Sequence, residues 1–137
     1  MPDGAMPDDA LGQIAASYDD LPYVSKPFPK THPARIGAIA RMLGLPAALP
    51  ETARVLEIGC ASGGNIIPQA YYNPGARFLG VDLGAKQIAD GQAMIAGLGL
   101  GNIELRCQSV TDLTEAEGQF DYIVAHGIFC WVPEFVS

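Results

Sequence analysis

The stretch RVLEIGCASGG, Arg54–Gly64, decides the fold. Val55, Leu56 and Ile58 read as a buried strand, and the small residues that follow read as a tight turn into a helix. Glycine at such a corner permits sharp turning and close backbone approach, and the helix beyond it offers free N–H groups to an anion. Set against the dinucleotide fingerprint G-x-G-x-x-G, the loop supplies Gly59, Ala61 and Gly64. The middle glycine, which lets a pyrophosphate reach the backbone, is missing. Glu57 is a second departure, because a carboxylate just before the first glycine repels a pyrophosphate. It suits a ligand that carries an ammonium or a sulfonium.

Outward from this corner, strand and helix signals alternate. Gly63–Tyr72 predicts a helix that Pro68 must bend or deprive of a hydrogen bond. Arg77–Leu83 predicts a second strand, followed by a helix from about Ala85 to Ala96 that buries Ala85, Ile88, Ala89 and Ile95. The run GLGLG at 97–101 stops it. Ile103, Leu105 and Cys107 predict a third strand and Phe120–Ala125 a fourth. Strands this apolar, separated by helices, predict a Rossmann-like α/β fold, a parallel sheet with helices on both faces.

Upstream, a disordered start through Pro7 and a short helix from Asp8 or Asp9 to Ser17 lead into LPYVSKPFPKTHP, Leu21–Pro33. Its four prolines exclude regular helix and central strand, so it predicts an ordered arm whose rings pack over the domain. Thr31 is the expected N-cap of the next helix, with Pro33 in its first turn. Ile36, Ile39, Ala40 and Leu43 recur at helical spacing until Gly44-Leu45-Pro46 ends the pattern. The expected division is therefore an arm and helix over 1–50 and a core over 51–137.

Fifteen acidic against eight basic residues give a net charge of −7, which argues against a nucleic-acid partner. The cysteines Cys60, Cys107 and Cys130 are odd in number and widely spaced, without a CxxC or Cys/His cluster. They predict reduced thiols, no metal site and a cytoplasmic setting. The N-terminal MPDGAMPDDA lacks the basic start and apolar core of a signal peptide. No apolar run approaches the ~20 residues of a membrane span.

Asp82 closes the second strand, 23 residues beyond Gly59 (82 less 59), where a carboxylate suits a ribose diol. A ligand with a ribose, no pyrophosphate and a positively charged tail is called for. S-adenosylmethionine has all three features. Glu57-Ile58-Gly59-Cys60-Ala61-Ser62-Gly63-Gly64-Asn65 followed by Gly80-Val81-Asp82 resembles the first two motifs of class I S-adenosylmethionine-dependent methyltransferases. The arm Tyr18–Phe28 with Thr31-His32-Pro33, and AHGIFCWVP at 125–133, resemble a narrower group. These are bacterial methyltransferases with a C-terminal methyltransferase regulatory domain, among them protein-lysine methyltransferases. The likeness covers nearly the whole chain from about Tyr18.

The resemblance implies S-adenosylmethionine as cofactor and a methyl acceptor, which in that group can be a protein lysine. It implies that Gly59, Cys60 and Gly63 line the methionine portion and that Glu57 anchors its amino end. Asp82 would hold the ribose and Leu83 would pack on the adenine. The family's acid after the third strand is replaced by Ser109, with Asp112 three residues on, and the Val110 N–H is the candidate for an adenine ring nitrogen. His126, just past the fourth strand, is the candidate catalytic residue beside the methyl-transfer channel. Phe129 and Trp131 are expected in the core. The family sheet has seven strands and four are traceable here, so the expectation is a truncated chain completed by a C-terminal half or a partner chain. Two alternatives stand beside it, a non-catalytic cofactor-binding module and a fragment of an NAD-dependent oxidoreductase, the latter disfavoured by Ala61 and Glu57.

Overall fold

The computed structural model describes residues 24–126 continuously and, before them, residues 12, 13, 16 and 20. Of the helix expected before Ser17, residues 12, 13 and 16 are described, and they are helical. Tyr18, Tyr23, Phe129, Cys130 and Trp131 lie outside the described residues. The elements are α1 (Pro33–Met42), β1 (Arg54–Ile58), α2 (Ile66–Tyr72), β2 (Arg77–Asp82), α3 (Ala85–Leu98), β3 (Ile103–Cys107) and β4 (Tyr122–Ala125).

All strand pairs are parallel, in the order β3-β2-β1-β4. The chain steps outward from β1 through β2 to β3, then returns to lay β4 on the far side of β1. Both outward steps cross in the same direction, and right-handed crossovers put α2 and α3 on one face of the sheet. There Val55, Phe78, Ile103, Leu105 and Tyr122 meet Ile66, Ile67, Ala70 and Ile88, with Ile36 of α1 at the margin. Leu56, Leu79 and Val81 point the other way, against Leu113 and Phe120 of the β3–β4 connection. That connection contributes two short 3-10 turns, Val110–Asp112 and Glu115–Glu117. The parallel, Rossmann-like sheet read from the sequence is the one observed.

Several local expectations shift. The N-cap of α1 is His32, whose Nδ1 accepts from the Ala34 N–H at 3.1 Å. Thr31 turns its hydroxyl back instead, donating to the Phe28 carbonyl at 2.9 Å. The helix expected from Gly63 begins at Ile66, with Pro68 in its first turn; the Ile67 N–H already reaches the Gly63 carbonyl at 2.8 Å, and the next bond of that series, to the Gly64 carbonyl, is the one Pro68 cannot make. Pro68 thus costs the helix a hydrogen bond at its start, as expected. Along α3 the buried positions are Gln87, Ile88 and Gly91 rather than Ala85 and Ala89, because the helix turns that stripe toward β3. In β4, Tyr122 and Val124 are buried and Ile123 is exposed, so the strand alternates where its composition suggested burial on both sides.

Candidate functional site

In an open parallel sheet, the ligand crevice lies at the carboxyl ends of the strands where their order reverses. Here that is the corner shared by β1 and β4. Leaving β1, the backbone takes positive φ at every second residue: Gly59 (73°), Ala61 (50°) and Gly63 (81°). The spacing that matters is thus 59, 61, 63, and the comparison with G-x-G-x-x-G that selected Gly64 picked a residue with a different task. The Gly64 N–H donates to Ser25 Oγ at 2.7 Å, and a Cβ at Gly64 would lie 2.5 Å from the Ser25 carbonyl carbon. Glycine there lets the arm close onto the loop. Ala61 carries a cost of about 1 kcal/mol for its left-handed conformation. Its N–H is anchored to Asp82 Oδ2 at 2.8 Å.

Asp82 sits at the tip of β2, and its second oxygen accepts from the Gly84 N–H at 2.8 Å. The carboxylate thus ties the β1 loop to the turn before α3. Each oxygen keeps a second lone pair, so the group can still accept from a ligand hydroxyl. Leu83 follows at the bend, partly exposed. The Gln108 N–H donates to the Asp82 carbonyl at 3.0 Å, which brings Ser109 and Val110 alongside this tip. Ser109 Oγ accepts from the Thr111 N–H at 3.2 Å and lies 2.8 Å from Thr111 Oγ1, capping the 3-10 turn that Val110 opens.

Glu57, near the end of β1, is only 4% exposed. Its Oε1 accepts from Asn65 Nδ2 at 2.8 Å, while Oε2 is buried and has no hydrogen-bond partner. Burial pushes its pKa up to about 7; the Asn65 bond opposes the shift and the negative charge of Asp82 adds to it. Cys60 is buried beside it, and burial, then Asp82 and Glu57, raise its thiol pKa, so the sulfur stays protonated and unreactive. His126 ends the described chain past β4, exposed, with its ring stacked on Phe28 at 3.8 Å between centroids and 29° between planes.

Glu57, Gly59, Cys60 and Asp82 therefore meet at two adjacent strand tips, with Ser109 and Val110 at the third and His126 at the fourth. Sequence reasoning missed Asn65 and its contacts with the arm. Asn65 Nδ2 also donates to Thr31 Oγ1 at 3.0 Å, and its Oδ1 accepts from the Phe28 N–H at 2.7 Å. The available signal was an asparagine directly after the glycines, but nothing local pairs it with residues more than thirty positions upstream.

Residues 55–136 match a family model described as a methyltransferase domain, which is more than half of the chain. The chain belongs to the class I S-adenosylmethionine-dependent methyltransferases. This methyltransferase domain is 44% identical over 119 residues to the uncharacterized protein RP789 of Rickettsia prowazekii, covering 87% of the chain and 22% of that protein. It is 40% identical over 121 residues to RP028 of the same organism, covering 88% and 48%. It is 31% identical over 128 residues to the ubiquinone biosynthesis O-methyltransferase of Bordetella avium, covering 92% and 50%. Among solved structures it resembles PKMT2 from Rickettsia typhi in complex with AdoHcy, at 42% identity and a TM-score of 0.80, covering 84% of this chain and 22% of that one. The domain thus spans between about a fifth and a half of the length of these relatives.

The residues present fit the family's cofactor. A buried carboxylate oxygen without a donor is costly, and the ammonium of the methionine portion is a donor of the right charge. A pyrophosphate in the same corner would face Glu57 and Asp82 together.

Proposed function

We propose that this methyltransferase domain binds S-adenosylmethionine across the tips of β1, β2 and β3 and directs its methyl group to a protein lysine amine. The observation that carries the cofactor reading is the unpartnered, buried Oε2 of Glu57 beside a loop of small residues. In this reading Glu57 takes the ammonium, while Gly59, Cys60 and Gly63 border the methionine portion. Asp82 accepts from the ribose hydroxyls through its free lone pairs, Leu83 packs on the adenine, and Ser109 and the Val110 N–H meet the adenine edge. Two features support a protein lysine as acceptor: the likeness to PKMT2 and the resemblance of the arm to the lysine-methylating group. A net charge of −7 also favours encounter with a basic segment.

The bound cofactor supplies an electrophilic methyl group on a sulfonium that leaves readily. The chain's own contribution is placement, which can lower the barrier by up to ~7–11 kcal/mol. The Asp82 carboxylate rigidifies the floor by bonding both loops. His126 and Phe28, stacked at the β4 side, form a flat wall against which an acceptor side chain is aligned. In that role His126 touches the acceptor and does not need to remove its proton.

Calorimetry with S-adenosylhomocysteine and with NAD tests the cofactor reading. Binding of the former alone is expected, and binding of NAD alone overturns it. Transfer of labelled methyl groups to lysine-containing peptides, and not to the same peptides with arginine at those positions, is the expected result for the acceptor.

A further inference from the structure

Asparagine at a helix N-cap ordinarily accepts from the N–H of the second or third helical residue. Asn65 occupies the N-cap of α2 and makes no such bond. The third helical residue is Pro68, which has no N–H, and the N–H groups of Ile66 and Ile67 are both taken by the Gly63 carbonyl, at 3.1 and 2.8 Å. The helix start is therefore complete without the Asn65 side chain. That side chain, 6% exposed, makes three bonds elsewhere: to Glu57 Oε1, to Thr31 Oγ1 and from the Phe28 N–H. One bond is to the carboxylate assigned to the cofactor, and two hold the arm whose Phe28 stacks on His126.

We propose that Asn65 is a positioning residue for cofactor binding, orienting the Glu57 carboxylate toward the cofactor's ammonium while latching the arm over the site. The inference rests on the cofactor reading above and names the group that links its two sides. With Oε1 engaged by Asn65, Oε2 is the acceptor left for the ammonium, and the same amide fixes the position of Phe28. The other groups that bear on the Glu57 charge are Asp82 at the tip of β2 and the neutral Cys60 thiol after β1. Cofactor occupancy and arm closure are then coupled through one side chain.

The test compares the wild-type chain with Asn65→Ala by calorimetry from pH 6 to 8.5. Two ligands are used: S-adenosylhomocysteine and its deaminated analogue, which keeps the carboxylate and lacks only the ammonium. Asn65→Ala should weaken S-adenosylhomocysteine roughly ten- to hundredfold at pH 7, the range for losing a hydrogen bond to a charged group. It should leave the analogue within about twofold, and the pH midpoint of S-adenosylhomocysteine binding should move upward. Equal weakening of both ligands with an unmoved midpoint would mean that Asn65 is merely structural, and overturns the inference while the cofactor reading survives. Failure of the wild type to bind S-adenosylhomocysteine overturns both. Thr31→Val removes one acceptor of the amide without touching Glu57 and serves if Asn65→Ala does not fold. Because it loosens the arm and leaves the Asn65–Glu57 bond in place, it should weaken both ligands alike, by about twofold, and faster hydrogen exchange at the Phe28 N–H should accompany it. Unchanged affinity and exchange would defeat the latch.

Discussion

Glu57 shows how a site residue can oppose the fold that carries it. Its value in the folded protein lies near 7, above the ordinary 4.5. Between those values the native state holds a proton that the unfolded chain has lost, so stability falls as pH rises through this window and stays lower above it. The full difference is about 3 kcal/mol, from 2.5 units at 1.36 kcal/mol each. Urea denaturation of Glu57→Gln should therefore give a flat profile from pH 5 to 8, more stable than wild type at pH 8 and similar at pH 4.5, with S-adenosylhomocysteine affinity lost. Asp82 works in the opposite sense, since both its oxygens are used by loop amides. Asp82→Ala should lower stability by about 2–3 kcal/mol and weaken S-adenosylhomocysteine about ten- to 150-fold. Loss of stability without loss of affinity would reduce Asp82 to a cap. The placement of these two carboxylates at adjacent strand tips was legible because charge next to a glycine corner has few uses. Asn65 was not, because its three partners lie on segments that meet only in the folded chain.

The elements were legible to the extent that periodicity governs them. Four strands and three helices follow from apolar spacing, and their parallel arrangement from strands too apolar to face water. What escaped was chemistry at the joints. The cap moved from Thr31 to His32 because the Thr31 hydroxyl has partners at Phe28 and Asn65, and α2 starts later than the glycines suggest because Pro68 has no N–H to donate to the Gly64 carbonyl. The arm depends on one close approach, where Gly64 meets Ser25. Gly64→Ala should push it off, seen as faster amide exchange over residues 25–31 with little change in β1 or β2. On the opposite side of α2, the Asn102 side chain donates to the carbonyls of Ala70, Asn73 and Ala76 at 3.0–3.1 Å, closing the helix end against the sheet. Asn102→Ala should cost about 1–3 kcal/mol in thermal unfolding and leave cofactor affinity unchanged, separating architecture from ligand chemistry.

For the molecule as a whole, the exposed β4 residue has a practical meaning. Ile123 is 62% exposed, and among the described residues β4 pairs with β1 alone. An apolar strand with an unpaired side is a template for association. Ile123→Lys should lower light scattering on concentration without altering S-adenosylhomocysteine binding, as its side chain points away from the face that carries Tyr122 and Val124.

The strand order also bears on how the chain folds. Val55 reaches its β2 partner Phe78 across 23 positions (78 less 55) and its β4 partner Tyr122 across 67 (122 less 55). Closing the longer loop carries about 1 kcal/mol more entropy, so the β1–β2–β3 half is the natural nucleus and β4 joins it late. The end of β4 that leads to His126 is then the last part of the sheet to assemble and the first to open. Substitutions in β4 should quicken unfolding while leaving the refolding rate nearly unchanged.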